Sequence, residues 1–388
     1  FYHMYNQNTI IGNEVFGITE DNNNNIWIAT TDGLSVYNRN NGKFTNYTAD
    51  QTHKSVYDNR LWDICYDKDG FVWIGSSKGV NMYDLEQKKF FLLKNIPGDT
   101  TSLHNNEVYC VNIDRDGFLW AGTYQGLSRY SKHTKTWKYY TFNKNSSEPN
   151  KIVWHICSDK EGELWFGTDK GLYQYNFKSD SIDLFGSGNE ATKILSETEI
   201  NYILQDSDLN YWFGTQFGIL HFDKTTKEIQ NYGIKDGLPN NVIYAIKEHG
   251  KYIWFSSNKG LTRMNKDTKE VLNFSLDDGL QSNEFNIAAL KTSDNQLLFG
   301  GINGITMFNP ADINVKEEIP ILYFTRLALN GKDVYPQEVR YGKVPLSKSI
   351  VDVERINISY QEILIEIEFT ALEFIKSNKI KLIVRLDI

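Results

Sequence analysis

One phrase returns along the chain at nearly constant intervals, and it limits the possible folds more than any other feature. It first reads Ile26-Trp27-Ile28-Ala29-Thr30, then Gly33-Leu34 and Tyr37. It returns as Trp73-Ile74-Gly75-Ser76 with Gly79-Val80 and Tyr83, and as Trp120-Ala121-Gly122-Thr123 with Gly126-Leu127 and Tyr130. Further copies start at Trp165, Trp212 and Trp254, and a degenerate one at Leu298-Phe299-Gly300-Gly301. The steps between these positions are 46, 47, 45, 47, 42 and 44 residues. A period in this range marks a repeat architecture, in which each unit buries its apolar faces only against its neighbours.

Each unit holds four short apolar runs. In the second they are Leu61–Tyr66, Phe71–Ser76, Gly79–Tyr83 and Lys89–Leu93, separated by Asp67-Lys68-Asp69-Gly70, by Ser77-Lys78 and by a polar stretch. Runs rich in Trp, Tyr, Phe, Ile and Val between Asp, Asn and Gly read as strands joined by tight turns. No stretch shows a long amphipathic helical period. Four antiparallel strands per unit make a propeller blade. The Trp is then the large apolar piece between blades, and the first Gly allows close backbone approach. The Thr or Ser hydroxyl satisfies backbone groups at the strand end, and the second Gly suits a turn of positive φ. Three strands are legible in the seventh unit: Phe285–Lys291, Gln296–Gly300 and Gly304–Phe308. The opening Phe1-Tyr2-His3-Met4-Tyr5 resembles the outer strands and is expected to supply its fourth, closing the ring and removing a sheet edge.

Composition narrows the function. The chain of 388 residues carries a net charge of −8 with both signs interspersed, which argues against a nucleic-acid groove. No apolar run is long enough to span a membrane. Phe1 is not an initiator Met, so the chain reads as an excised or processed piece. The thiols Cys65, Cys110 and Cys157 fall on the inner strands of three different blades and are expected to pack in the core. The seven His are scattered and none has a zinc-pair spacing, so no metal, cofactor or catalytic residue is expected. The Asp-x-Asp-Gly turns at 67–70 and 114–117 resemble calcium loops but lack the remaining ligands, and they read as turn chemistry. They also resemble the Asp box of sialidase propellers in their Gly-to-Trp spacing, but their acidic residues are out of place.

Binding is expected where the sequence varies while the scaffold repeats. The loops between second and third strands, and those entering each inner strand, share one face of a propeller. Asn, Gln, Lys and Arg recur in them. Aromatic residues follow at equivalent places: Phe16, Trp62, Tyr109, Trp154, Tyr202, Tyr244 and Phe285. Aromatic platforms ringed by polar groups suit a polar ligand with apolar faces, such as a sugar. The candidate ligand-binding residues are Arg60, Trp62, Tyr109, Tyr124, Trp154, Lys170, Tyr202, Phe217 and Tyr244. The competing reading is that the rings plug the channel and the Asn residues cap turns.

The phrase resembles the two-component regulator propeller repeat. Asp236-Gly237-Leu238-Pro239-Asn240-Asn241-Val242 is similar to an inter-blade segment of that family. Residues 278–286 and Phe299–Pro310 resemble its last blade, and Ile321–Asn330 and Ile356–Leu372 the opening strands of its immunoglobulin-like Y_Y_Y sandwich. The seven phrases and the spare N-terminal strand, with the resemblance for the segment after them, predict an all-β chain: a seven-bladed β-propeller over 1–318 followed by a partial immunoglobulin-like β-sandwich over 319–388. It implies the periplasmic sensor region of a Bacteroidetes hybrid two-component system, without catalysis in this chain. Such a region would bind an oligosaccharide from glycan breakdown, form a homodimer in the parent protein and meet the membrane only through segments outside this chain. The alternatives are a propeller polysaccharide lyase or glycosidase, which needs a convergent acid–base set, and a scaffold for protein partners. Tyr124 and Phe217 sit in loops that the fold does not oblige to be aromatic. The double substitution Tyr124→Ala, Phe217→Ala is therefore expected to weaken ligand binding about tenfold without lowering stability, measured by calorimetry beside thermal melts.

Overall fold

The computed structural model describes residues 8–50, 52–142, 151–313 and 322–371. The chain divides into two compact units, Phe1–Ile313 and Asn314–Ile388. In the first, six four-stranded sheets and one three-stranded sheet follow one another, every strand antiparallel to its sequence neighbour. The inner strands are Val15–Glu20, Leu61–Tyr66, Val108–Ile113, Val153–Ser158, Ile200–Gln205, Ile243–His249 and Phe285–Lys291. Each packs beside the next, and the last packs beside the first. The sheets thus form a closed ring of blades around a channel, a β-propeller. Among the described residues the seventh sheet has three strands. The expected closing strand, Phe1–Tyr5, lies outside the described residues.

The repeated phrase builds the contact between blades. Trp120 is fully buried and packs with Phe166, Val153 and Tyr175 of the following blade. A buried Trp removes roughly 150–250 Å² from water, which at 25 cal/mol per Å² is about 4–6 kcal/mol. The Gly of the phrase permits the approach: a Cβ on Gly167 would lie 2.6 Å from the Ile200 carbonyl oxygen of the next inner strand. The hydroxyls of Thr30, Thr123, Thr168 and Thr215 donate to the carbonyls of Gly33, Gly126, Gly171 and Gly218 at 2.7–2.9 Å, closing the turn as its sequence requires.

The indole nitrogen is satisfied by a partner six residues upstream. Trp27, Trp73, Trp120, Trp165 and Trp212 donate to Oδ2 of Asp21, Asp67, Asp114, Asp159 and Asp206 at 2.7–2.9 Å. Oδ1 of the same carboxylate accepts two backbone N–H groups of the turn; for Asp114 these are Asp116 N and Phe118 N. All five carboxylates are buried. The Asp-x-Asp-Gly segments are therefore turns whose first carboxylate also anchors the core Trp. The sixth Trp, Trp254, has no such partner, and in the seventh unit Thr292 and Leu298 replace Asp and Trp together.

A second set of contacts links blades at the far end of the same turns. Twelve residues after Trp27, Trp120, Trp212 and Trp254 stand Arg39, Lys132, Lys224 and Lys266. Each reaches the first turn of the preceding blade around the ring. Arg39 bonds Asp294, Lys132 bonds Asp67 at 3.0 Å and also Asp69, Lys224 bonds Glu161, and Lys266 bonds Asp208 at 2.6 Å. In the fourth blade that position is Phe177, and the preceding turn instead lays Arg115 over its ring at 3.7 Å. The polarity is reversed while the attachment point is kept.

The second unit contains a three-stranded antiparallel sheet of Leu322–Leu329, Lys332–Asp333 and Ile365–Ala371. The last strand starts at Ile365 rather than at Ile356, because Ile356 and Ile358 pack without strand pairing against Leu327, Leu329, Val334, Leu346 and Ile350. The expected residues beyond Ala371 lie outside the described ones. Among the described residues no helix is long and apolar enough to cross a membrane.

The carboxylate–indole anchor predicts a sharp contrast. Asp114→Ala leaves a buried indole N–H and two turn N–H groups without their acceptor, at about 1–3 kcal/mol for each unsatisfied group. It is expected to lower Tm by many degrees in thermal melts. Asp116→Ala, on the exposed corner of the same turn, is expected to change Tm little.

Candidate functional site

The inner strands do not pair evenly with their second strands. Each ladder is regular at its lower end and slips where the strand enters. Val15 faces Thr30 and Gly17 faces Ala29, leaving Phe16 as the extra residue of a bulge. The same slip leaves Trp62, Tyr109, Trp154 and Asn201 unpaired in the next four blades. Wider slips cover Tyr244 in the sixth and Asn286 in the seventh. A bulge re-aims the extra side chain. All seven of these residues line one cavity of about 260 Å³, joined by Glu199, Gln216 and Ile287. One backbone irregularity, repeated by every blade, thus makes a collar at the channel mouth.

The collar is largely aromatic. Phe16 meets Trp62 edge-on at 5.0 Å, and Tyr109 lies 6.1 Å from Trp62 and 5.4 Å from Trp154, centroid to centroid. Trp62 Nε1 and Asn286 Nδ2 are buried with no hydrogen-bond partner among the described residues. Burial pushes the Glu199 carboxyl up, with the Trp154 indole opposing it. Burial also raises the Tyr109 hydroxyl, helped by the Glu107 carboxylate.

Of the nine sequence-predicted residues, Trp62, Tyr109, Trp154 and Tyr244 line this cavity. Arg60, Tyr124, Lys170 and Phe217 do not. Tyr124 and Phe217 are 50% and 69% exposed, which places them outside the collar rather than in it. Tyr202 corrects the sequence alignment. Its blade contributes Asn201 to the collar, and Tyr202 stands one residue further on, buried and facing Gly214 across the ladder. Phe285 errs in the other direction: it is buried in the core one residue before Asn286. One residue before the bulge a side chain packs in the core, and one residue after it a side chain lines a lower level of the channel, as Tyr202 does, so aligning aromatic with aromatic put neither in the collar. The loop Asn residues serve the scaffold: Asn106, Asn241 and Asn283 accept the N–H groups of Asn95, Ile234 and Leu276. Glu199, Asn286 and Ile287 escaped the sequence reading, and counting from the bulge rather than from the nearest aromatic would have found Asn286.

Below the collar lies a second cavity of about 50 Å³, sharing Phe16, Tyr109, Trp154 and Ile287 with the first and lined also by Asp63, His155 and Tyr202. The Asp63 carboxylate accepts Ile64 N at 2.8 Å and, across to the next inner strand, Val111 N at 2.9 Å. Burial pushes its pKa up to about 7, opposed by those two N–H groups and by the Lys247 ammonium. The His155 ring lies 4.0 Å from that of Tyr202. Burial and Lys247 hold its pKa down at about 3, so the imidazole is neutral. Lys247 Nζ donates to the Tyr202 hydroxyl at 2.6 Å. The thiols behave as packing groups: Cys110 is buried, and Cys65 and Cys157 pack at the edges of two cores.

Four stretches, residues 9–32, 58–78, 102–125 and 147–170, match the two component regulator propeller. The chain carries two-component regulator propeller repeats. No curated protein matches the chain significantly. Among solved structures, the catalytically inactive form of virginiamycin B lyase from Staphylococcus aureus, with quinupristin, is 17% identical over 78% of this chain and 96% of that one, with a TM-score of 0.58. That likeness is one of fold, a propeller. The extracellular domain of the hybrid two component system BT3049 from B. thetaiotaomicron is 20% identical over 81% of this chain and 55% of that one, with a TM-score of 0.40. The corresponding domain of BT4673 from the same organism is 16% identical over 83% and 55%, with a TM-score of 0.40. This chain spans little more than half the length of those two domains.

Asp63 carries the pH dependence of the channel. A carboxyl whose pKa is higher folded than unfolded stabilises the fold fully below its unfolded value and loses that contribution as pH rises through the folded one. The window runs from about pH 4 to about 7. The Tm of Asp63→Asn relative to the parent is therefore expected to move in the variant's favour as pH rises across that window. The difference isolates Asp63, because His155 titrates in the opposite sense in both proteins.

Proposed function

We propose that this chain is the extracytoplasmic, non-catalytic ligand-sensing region of a hybrid two-component histidine kinase and response regulator, and that its ligand is an oligosaccharide released in glycan breakdown. The observation that carries the reading is the collar: aromatic faces from five blades and two Asn side chains surround a cavity of about 260 Å³, the size of one sugar ring with its hydration. Pyranose rings offer apolar C–H faces to aromatic planes and hydroxyls to amides and indoles. The unpartnered Trp62 indole and Asn286 amide are costly when left unmade, and small rotations toward a ligand would recover that cost. The two-component regulator propeller repeats support the sensing role. A propeller lyase shares the fold, and in the collar the Tyr109 hydroxyl donates to the Glu107 carboxylate at 3.5 Å, so product analysis is the measurement that separates the two readings.

In this reading Tyr124, Phe217, Arg60 and Lys170 form an outer rim that meets the trailing part of the ligand. A homodimer of the parent protein would relay the signal, since a ligand that binds two dimer arrangements unequally shifts their balance by its differential affinity. The test is calorimetry against a panel of plant and host oligosaccharides, with product analysis of the same mixtures. Trp62→Ala and Trp154→Ala are each expected to weaken binding tenfold or more, on the order of 1–2 kcal/mol for one lost platform. Turnover of a glycan at enzyme-like rates, or binding untouched by either substitution, would overturn the reading.

A further inference from the structure

The collar is closed on every side. Its seven side chains come from seven blades, and their inner strands neighbour one another all the way round. A ligand can approach only along the channel axis. Beneath the collar the space falls to about 50 Å³, room for a hydroxyl group and a water of about 30 Å³ but not for a second ring. The lining changes character at the same level. Beside the shared Phe16, Tyr109 and Trp154 it gains the Asp63 carboxyl, the His155 imidazole and the Tyr202 phenol, whose hydroxyl holds Lys247 behind it.

These lower groups have hydrogen-bonding capacity to spare. The Asp63 carboxyl accepts Ile64 N and Val111 N and keeps a further acceptor site when ionised and a proton to donate when neutral. The Tyr202 hydroxyl accepts from Lys247 Nζ, which leaves its own proton to donate. His155 Nδ1 is buried with no partner among the described residues. An acceptor and a donor thus face one small space below a ring-sized one. A neutral group that both donates and accepts, such as the hydroxyls at the end of a sugar, matches this pair. A carboxylate end group would meet Asp63, and an ammonium end group would meet Lys247.

We infer that Asp63, Tyr202 and its partner Lys247, and His155 form an end-reading site: the ligand enters end-first, one ring sits in the collar, and the hydroxylated edge of that leading ring is recognised in the lower cavity. The inference rests on the sugar-sensing reading and adds orientation and specificity to it. The collar binds any ring of suitable size, and the lower layer selects among ring ends.

The test uses methyl glycosides and short linear oligomers of glucose, galactose, mannose, xylose and arabinose, titrated by calorimetry into the whole chain. For the best binder, Asp63→Asn and Tyr202→Phe are each expected to weaken binding about tenfold, the scale of one hydrogen bond to a charged or polarised partner. Against the analogue whose leading-end hydroxyls are replaced by hydrogen, the same substitutions are expected to cost less than about twofold. Deoxygenation at the trailing end, which meets the outer rim, should cost the same in the parent, in Asp63→Asn and in Tyr202→Phe. Equal losses in either variant against the native and the leading-end deoxy ligand would overturn the end-reading site. Binding lost in Trp62→Ala but indifferent to Asp63→Asn and Tyr202→Phe would overturn it while leaving the sensing reading standing. If no sugar of the panel binds the parent chain, the sensing reading falls and this inference falls with it. Should Asp63→Asn fail to fold, because Asp63 also ties Val111 of the next inner strand, Tyr202→Phe carries the same comparison alone.

Discussion

A buried aspartate holding an indole N–H is the contact on which the ring depends. Each blade must place a large apolar group against its neighbour, and Trp supplies the area, but it brings a polar nitrogen into the core. The carboxylate six residues upstream accepts that nitrogen with one oxygen and closes its own turn with the other, as Asp67 does for Trp73, Asp69 and Phe71. One residue thereby fixes the turn and the core at once, so an error in either is felt in both. The exceptions follow the same logic. The seventh unit lacks Trp and Asp together, and Trp254, whose upstream neighbour is Glu248 rather than an Asp, keeps an unpartnered nitrogen. Glu248 is engaged elsewhere, accepting from Lys266 at 2.7 Å and from Ser207.

The candidate site grows out of the scaffold rather than being added to it. With the lower ladders held in register by the core, the irregularity of each inner strand is displaced to its entrance. There the strand slips, by a single extra residue in five blades and by a wider irregularity in the sixth and seventh, and one side chain from each turns into the channel. These side chains are five aromatic rings and two amides, and they also touch across blades, as Phe16 does Trp62. Asn201 Nδ2 in the collar donates to the Ile243 carbonyl at 3.1 Å, and just below it Asp63 reaches across to Val111, so polar side chains in the channel tie adjacent inner strands.

Much of the fold was legible because repetition amplifies weak signals. The strands Leu61–Tyr66, Phe71–Ser76 and Lys89–Leu93 have the bounds that their turn residues mark, and the Thr-to-Gly hydroxyl bonds follow from the spacing of the phrase. The anchor stands in the sequence as an Asp six places before the first five Trp of the phrase, but the sequence reads it only as turn chemistry, because its meaning depends on the indole folding back over the turn. The site was half legible. Trp62, Tyr109, Trp154 and Tyr244 fall where the period puts them, whereas Tyr202 and Phe285 are drawn into the wrong column by their chemistry.

By itself, the sequence determined the period, the strand lengths, the turn chemistry and the apolar seam between blades, because these are local consequences of residue type and spacing. Tertiary structure alone decided which residue of each inner strand is the extra one, and hence which side chains face the channel. That choice is a contest between a strand's pairing with its own sheet and its packing against the next blade. One residue of slip costs little in local propensity yet moves a side chain from the collar to the lower channel, as between Asn201 and Tyr202, or into the core, as between Asn286 and Phe285. The same is true of the lower cavity: Asp63, His155 and Tyr202 are far apart in the chain and unremarkable there, and only closure of the ring brings three blades' inner strands around one small space, with Lys247 of a fourth held against Tyr202.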